Sequence, residues 1–270
     1  MSNVTTKSKG RRANVYIDDY GIIYILKDKN NIIKGKIPFT EIDLDSAQSR
    51  AKKIRNELKQ LSKKNKIKKF NMVISQGIRM VKVFDFDKEV KLNADVDLLL
   101  KEEISKYIQP SENVNDYSIH YLKTGKTKQT IFLTSVVKRK ILIETCTYAM
   151  QDKINIEFLT IPEIPMFEIL KNKNGVNAIA LYCEDSMDLR VLVCKNSGLL
   201  YANQISSVQV QDIPTEIRNL TDYVKSEYKE SVTLCYLIGA DDLELDTMSN
   251  IQHIEEDKEI DSKYHLLLNL

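Results

Sequence analysis

Apolar residues in this chain cluster into short runs separated by polar turns, and the clearest set lies past the middle. Val176 to Tyr182 is one run, Leu189 to Cys194 a second and Leu199 to Ile205 a third. Cys183-Glu-Asp-Ser-Met-Asp188 connects the first two, and Lys195-Asn-Ser-Gly198 the next pair. Three short β-prone runs joined by polar turns predict an antiparallel meander. Runs this apolar on both faces belong in a buried sheet. A second meander opens the chain. Asn14 to Leu26 reads as two strands around Asp18-Asp19-Tyr20-Gly21, and Ile32 to Phe39 follows the turn Asn30-Asn31.

Helical spacing takes over after each meander. Asp45 or Ser46 caps a predicted helix in which Ala47, Ala51, Ile54, Leu58 and Leu61 recur three and four apart and form one apolar face. Its other faces are basic, with Arg50, Lys53 and Lys64 among them, and Lys66, Lys68 and Lys69 carry the charge into a predicted loop. Phe70 to Ser75 and Ile78 to Phe84 read as paired strands. Asp95 to Ile108 reads as a helix with Val96, Leu99, Leu100, Ile104 and Tyr107 on one side. Tyr117 to Leu122 and Thr130 to Val137 form a hairpin. Its tip, Lys123-Thr-Gly-Lys-Thr127, has the look of a phosphate loop but lacks the first glycine and the following helix.

Lys138 to Met150 is a further helix, Ile154 to Ile161 a strand, and Met166 to Leu170 a helix start after a break bracketed by Pro162 and Pro165. Lys171-Asn-Lys-Asn-Gly175 is the best hinge. After the central meander come a helix over Ile213 to Tyr228, a strand over Val232 to Ile238, and an acid-rich stretch over 241–261.

Composition changes this picture little. The chain has 270 residues, enough for one large domain or two lobes, and a formal net charge of +2. The four cysteines stand far apart in apolar surroundings with no metal-ligand spacing, as buried thiols of a reducing compartment do. His120, His253 and His265 stand apart, so no acid/base or nucleophile constellation forms. Residues 1–12 read as a disordered basic arm with no apolar stretch after it, and no run approaches the ~18–20 apolar residues of a spanning helix. These features predict a cytoplasmic chain without a metal or cofactor.

Laid end to end, the elements form a meander, a helix, an inserted α/β unit, a helix, a hinge, then a second meander, helix and strand. That order is the duplicated plan of the α/β actin-like, ribonuclease H-like fold: two lobes, here with a reduced second one. The predicted division is 1–12 arm, 13–170 first lobe with an insertion at about 85–137, 171–254 shortened second lobe and 255–270 acidic linker with an apolar tail. The insertion, with LLLKEEISKYIQPSE, YSIHYL and TIFLTSVVKRKILIE, resembles that of the PilM/GspL-type proteins, the actin-like cytoplasmic proteins of type IV pilus and type II secretion assembly.

That resemblance implies nucleotide loops, and this sequence departs from their pattern. Phosphate loops need small residues so that backbone N–H groups can approach, and an Asp to hold the metal and its water. The first loop holds Asp18, Asp19 and Gly21, but Tyr20, Ile22 and Ile23 stand beside them. In the second, Asp-x-Gly has become Tyr182-Cys183-Glu184, so Glu184 and Asp185 would face the phosphates as like charges. At the adenosine turn, Gly-Gly has become Gly239-Ala240. The expectation is a pseudo-ATPase that binds nucleotide weakly or not at all.

The resemblance also implies partners: a PilN/GspM-like membrane protein, the assembly motor ATPase, and further copies of the chain. PilM-type proteins hold an apolar-Asn-Leu-Leu peptide from PilN. The end of this chain, with Leu267, Leu268, Asn269 and Leu270, has the look of that peptide. One expectation is therefore a fusion that continues into a PilN-like membrane part, the tail docking on its own or a neighbouring lobe; the other is a last strand or frayed end. The implied location is the cytoplasmic face of the inner membrane, as a peripheral protein or as part of an anchored one. Two other readings stand beside the scaffold: a working actin-like ATPase, and a nucleic-acid binder using the helix over 46–64. The latter has neither aromatic interleaving nor a nucleic-acid motif.

Overall fold

The computed structural model describes residues 11–28, 31–86, 89–91, 94–124, 130–151, 154–184, 186–196, 198–243, 250–254, 262–268 and 270. The opening meander is β1 (Arg11–Ile17), β2 (Gly21–Asp28) and β3 (Asn31–Pro38), paired antiparallel. A short helix α1 (Glu41–Leu44) and the long α2 (Ala47–Asn65) lead to β4 (Ile67–Ile74), which lies parallel to β1. Then come β5 (Ile78–Phe86), α3 (Ala94–Ser105), β6 (Tyr117–Thr124), β7 (Thr130–Lys138) and α4 (Arg139–Gln151). The first half closes with β8 (Ile156–Thr160) and α5 (Glu163–Leu170).

The second half repeats the scheme. β9 (Val176–Cys183), β10 (Asp188–Lys195) and β11 (Gly198–Ile205) form the meander. One 3-10 turn at Val210–Asp212 separates β11 from α6 (Ile213–Tyr228), so no subdomain is inserted there. β12 (Leu234–Ile238) lies parallel to β9, and β13 (Ile251–His253) parallel to β12; α7 (Tyr264–Leu268) follows. The sheet orders are β3-β2-β1-β4-β8 and β11-β10-β9-β12-β13, the same order twice. The inserted unit is a separate antiparallel sheet, β5-β7-β6, covered by α3; β5 therefore pairs with β7 and not, as expected from the sequence, with β4, which lies between β1 and β8.

Helix α2 shows why these residues fold as they do. Ser46 takes the N-cap, its hydroxyl accepting from Ser49 N–H. Ala51, Ile54, Leu58 and Leu61 are buried against β1 and β4; the side chain of Ala47 lies outside the described residues. The helix ends at Lys66 in the left-handed region, φ 55°.

Each half donates a helix to the other. α5, at the end of the first half, packs on β9 and β10, and α7, at the end of the second, packs on β1 and β2. One cluster of buried side chains therefore runs through all three sheets, from Ile25 and Val73 through Leu133 to Ile179 and Leu192. Leu266 and Leu267 of α7 are fully enclosed in it, each such burial stabilising by about 1.5–3 kcal/mol.

Several expectations need correcting. Pro165 does not break the chain: it lies in the first turn of α5, where a residue without an N–H forfeits no helical bond. Arg11 and Arg12 belong to β1 rather than to an arm, and Arg12 pairs with Glu157 of β8. Lys68 and Lys69 begin β4 rather than a loop. Tyr107 follows α3 and is exposed, with Lys82 Nζ 3.9 Å over its ring. Tyr264–Leu268 form a helix rather than a strand or a frayed end.

Candidate functional site

β1 and β4 end side by side, with Ser75 N–H donating to Ile17 O at 2.9 Å, so the turns after them share one edge of the first lobe. β9 and β12 end likewise at Cys183 and Ile238. These strand ends meet across the seam between the lobes. Carboxyl ends of strands are where open α/β sheets place their ligands.

Asp18 is the most heavily bonded residue of the first turn. Its Oδ1 accepts from the N–H groups of Tyr20 and Gly21, each at 2.9 Å, which closes the turn on itself. Its Oδ2 accepts from Lys263 Nζ at 2.8 Å, and its carbonyl from Gln76 Nε2 at 2.7 Å. Gly21 starts β2 where a Cβ would stand 2.3 Å from Ile37 O. Lys263 comes from the segment between β13 and α7. Its Nζ also lies 5.8 Å over the ring of buried Tyr16.

Ser262, its neighbour, closes the turn after β12. Gly239 N–H donates to Ser262 Oγ at 2.8 Å, and the Ser262 hydroxyl donates to Asp241 Oδ1. Gly239 has φ +84°, and a Cβ there would meet Tyr182 O at 2.4 Å, so the backbone of β9 itself demands glycine. Consecutive residues of one strap thus sit on the turn after β1, at Asp18, and on the turn after β12, at Gly239.

Arg190 fills the seam from β10. It is 2% exposed, and its guanidinium donates to Ser75 Oγ at 3.0 Å and Ser75 O at 3.1 Å. Glu163 Oε1 of α5, fully buried, lies 3.8 Å from Arg190 Nη1, and Glu163 Oε2 accepts from Ser135 Oγ of β7 at 3.3 Å. One ionic cluster therefore spans the first sheet, the inserted sheet, α5 and the second sheet. Burial raises the Glu163 carboxyl above its ordinary value, and Arg190 offsets only part of that. Burial opposes the Arg190 charge, but Cys183, Glu163, Tyr16 and Asp188 around it outweigh that and raise the guanidinium. Burial likewise holds the Tyr16 hydroxyl well above its usual range.

The residues present do not fit a magnesium-bound nucleotide. The N–H groups of Tyr20, Gly21 and Gly239, which would have to face phosphate or base, already have acceptors inside the chain. The carboxylate that would hold the metal is closed by two N–H groups and an ammonium.

The other candidate residues scatter. Asp19 pairs with Arg50 of α2. Lys53 lies 3.1 Å from Glu57 and 3.9 Å from Asp43, while Lys64 is exposed. Glu184 is exposed, its carbonyl accepting from Met187 N–H at 3.3 Å. Asp185 and Asn269 lie outside the described residues. Leu267 is buried, with Asn14 Nδ2 donating to its carbonyl at 2.7 Å; Leu268 and Leu270 pack partly buried on the same core. Reading the sequence alone missed Arg190, although it is the one charge within the run Leu189 to Cys194. Nothing local marks Lys263, whose partner stands 245 positions away.

Known structures share this fold. A structure described as a PilM-PilN type IV pilus biogenesis complex superposes with a TM-score of 0.72 over 96% of this chain and 97% of that one, at 9% identity. A protein from Bacteroides thetaiotaomicron, described as having an actin-like ATPase fold and unknown function, gives 0.57 at 17% identity over 93% and 87% of the two chains. The chain has the actin-like fold. The cytoplasmic domain of EpsL, an inner membrane component of the type II secretion system of Vibrio cholerae, gives 0.54 at 12% identity over 96% and 94%. No family model and no curated protein sequence matches. At such identities the likeness is one of fold, and the strap and the buried arginine are described from this chain alone.

Proposed function

We propose that this chain is a non-catalytic scaffold on the cytoplasmic side of an inner-membrane assembly platform of the type IV pilus or type II secretion kind. In this reading it couples a PilN/GspM-like membrane protein to the motor ATPase through its surfaces, and self-association of the lobes supplies further contacts. The observation that carries the reading is the closed seam, in which Lys263, Ser262 and Arg190 engage the turns that would otherwise cradle a nucleotide. The match over nearly the full length of a pilus complex component adds the class of machine. The division into lobes at 13–170 and 171–254 belongs to the same reading, the hinge at 171–175 lying between α5 and β9.

Of the alternatives, a working ATPase would have to free the N–H groups of Tyr20, Gly21 and Gly239 from acceptors inside the chain. Nucleic-acid binding by the helix over 46–64 would have to draw Arg50 and Lys53 out of existing ion pairs. The test is genetic. Deleting the gene should abolish assembly of the pilus or secretion apparatus, and a copy carrying Asp18→Asn with Lys263→Met should restore it fully. A strain that assembles normally without the gene contradicts the scaffold. Failure of the paired variant, with its protein present at normal level, contradicts the non-catalytic role.

A further inference from the structure

The end of the first sheet opposite the seam gathers positive charge from several elements. β1 starts there with Arg11 and Arg12, paired in register with Ile67 and Lys69 of β4. α2 ends there with Lys63 and Lys64, and Lys66 and Lys68 follow, all four exposed. An open groove of about 560 Å³ lies among them, lined in part by Lys59, Lys63, Lys68 and Lys69. Glu157 supplies a counter-charge there, shared between Arg12 and Lys69.

The β2–β3 hairpin ends at the same pole, since Asp28 pairs with Asn31 and Leu26 with Ala13. It carries two adjacent aliphatic residues in the open, Ile32 at 52% and Ile33 at 45% exposure. The last described residues arrive here too, because Lys27 Nζ donates to Leu268 O at 3.4 Å. Five strand ends at ~4.8 Å spacing make a face ~20 Å wide, lysine-rich and bearing exposed isoleucines.

We propose that this pole docks on an anionic lipid surface, headgroup phosphates entering the lysine groove while Ile32 and Ile33 enter the headgroup boundary. Lysines keep their stems on apolar surface and their ammonium groups in the polar layer, which suits a membrane interface. Lysine is depleted from protein interfaces. Among the described exposed residues, Phe158 beside Glu157 is the one aromatic near this pole, and a single ring is not the series of stacking platforms that a nucleic-acid strand uses. The contact stands apart from the scaffold role, since a chain without pilus or secretion partners would still bind lipid this way.

Vesicle flotation of the full chain tests it. Vesicles of phosphatidylcholine should leave the protein behind, whereas vesicles with about one third phosphatidylglycerol should carry it, less so as salt rises from ~0.05 to ~0.3 M. Each lysine at such a surface is worth roughly fivefold in binding, so Lys63→Gln/Lys64→Gln/Lys68→Gln should lose on the order of a hundredfold. Ile32→Ser/Ile33→Ser should weaken binding without abolishing its salt dependence. Arg218→Glu/Lys225→Glu, on the outer face of α6, should bind as the unaltered chain does, which separates a local pole from overall charge. All variants are to be matched by circular dichroism. Equal binding to both vesicle types, no binding to either, lysine variants indistinguishable from the parent, or displacement from vesicles by duplex DNA at equal phosphate concentration would overturn the proposal.

Discussion

Single side chains decide whether the seam stays closed. Replacing Arg190 by Met leaves Glu163 buried without its cation and Ser75 without its donor. The expected cost is about 3–5 kcal/mol in urea unfolding. Adding Glu163→Leu should return most of that loss, because a buried pair replaced by apolar groups is far less costly than a broken one. A double variant no better than the single one would contradict the pairing. Gly239→Ala should cost about 1–3 kcal/mol, since φ is +84° and the new methyl meets Tyr182 O. His120 on β6 gives a pH signature. Burial lowers its pKa from the ordinary 6.5, so the unfolded chain binds the proton more readily. Stability should be complete above that value and fall as pH drops from about 6.5 through the depressed folded value. Melting curves of His120→Phe should lack this part of the acid loss.

Helices and strands differ in how plainly they announce themselves. Both meanders and α2 follow from periodicity, because runs such as Val176–Tyr182 and the stripe Ala51–Leu61 bury enough surface to override local exceptions. β13 has three residues and α7 five, too short for a period to show, and each owes its conformation to the sheet it lands on. α1 is likewise short; its capping box, with Thr40 N–H donating to Asp43 Oδ2 at 2.8 Å, is legible only in hindsight. Half of the site was legible for the same reason. Asp18 and Gly239 stand in turns whose chemistry is local. Arg190 and Lys263 act through partners 115 and 245 positions distant, which no window along the chain contains. At this scale the N-cap of α2 is testable: Ser46→Ala should destabilise by ~1 kcal/mol. Leu267→Ala in α7 should cost ~2–5 kcal/mol, because its cavity opens in the core shared by both sheets. A loss below ~1 kcal/mol would mean that α7 is not seated there.

As a whole, the molecule is two copies of one five-stranded sheet, each closed by the other's last helix, with an inserted three-stranded sheet on the first. The cleft in such a body is where a nucleotide would drive motion of one lobe against the other. Here the turns of that cleft are tied together by the chain itself, through Lys263 on Asp18, Ser262 on Gly239 and Arg190 on Ser75. Isothermal titration of the full chain with ATP and magnesium tests this most directly. The closed seam predicts no saturable heat, meaning affinity weaker than about 1 mM. Saturable binding at micromolar ATP, lost on Gly239→Val, would contradict it.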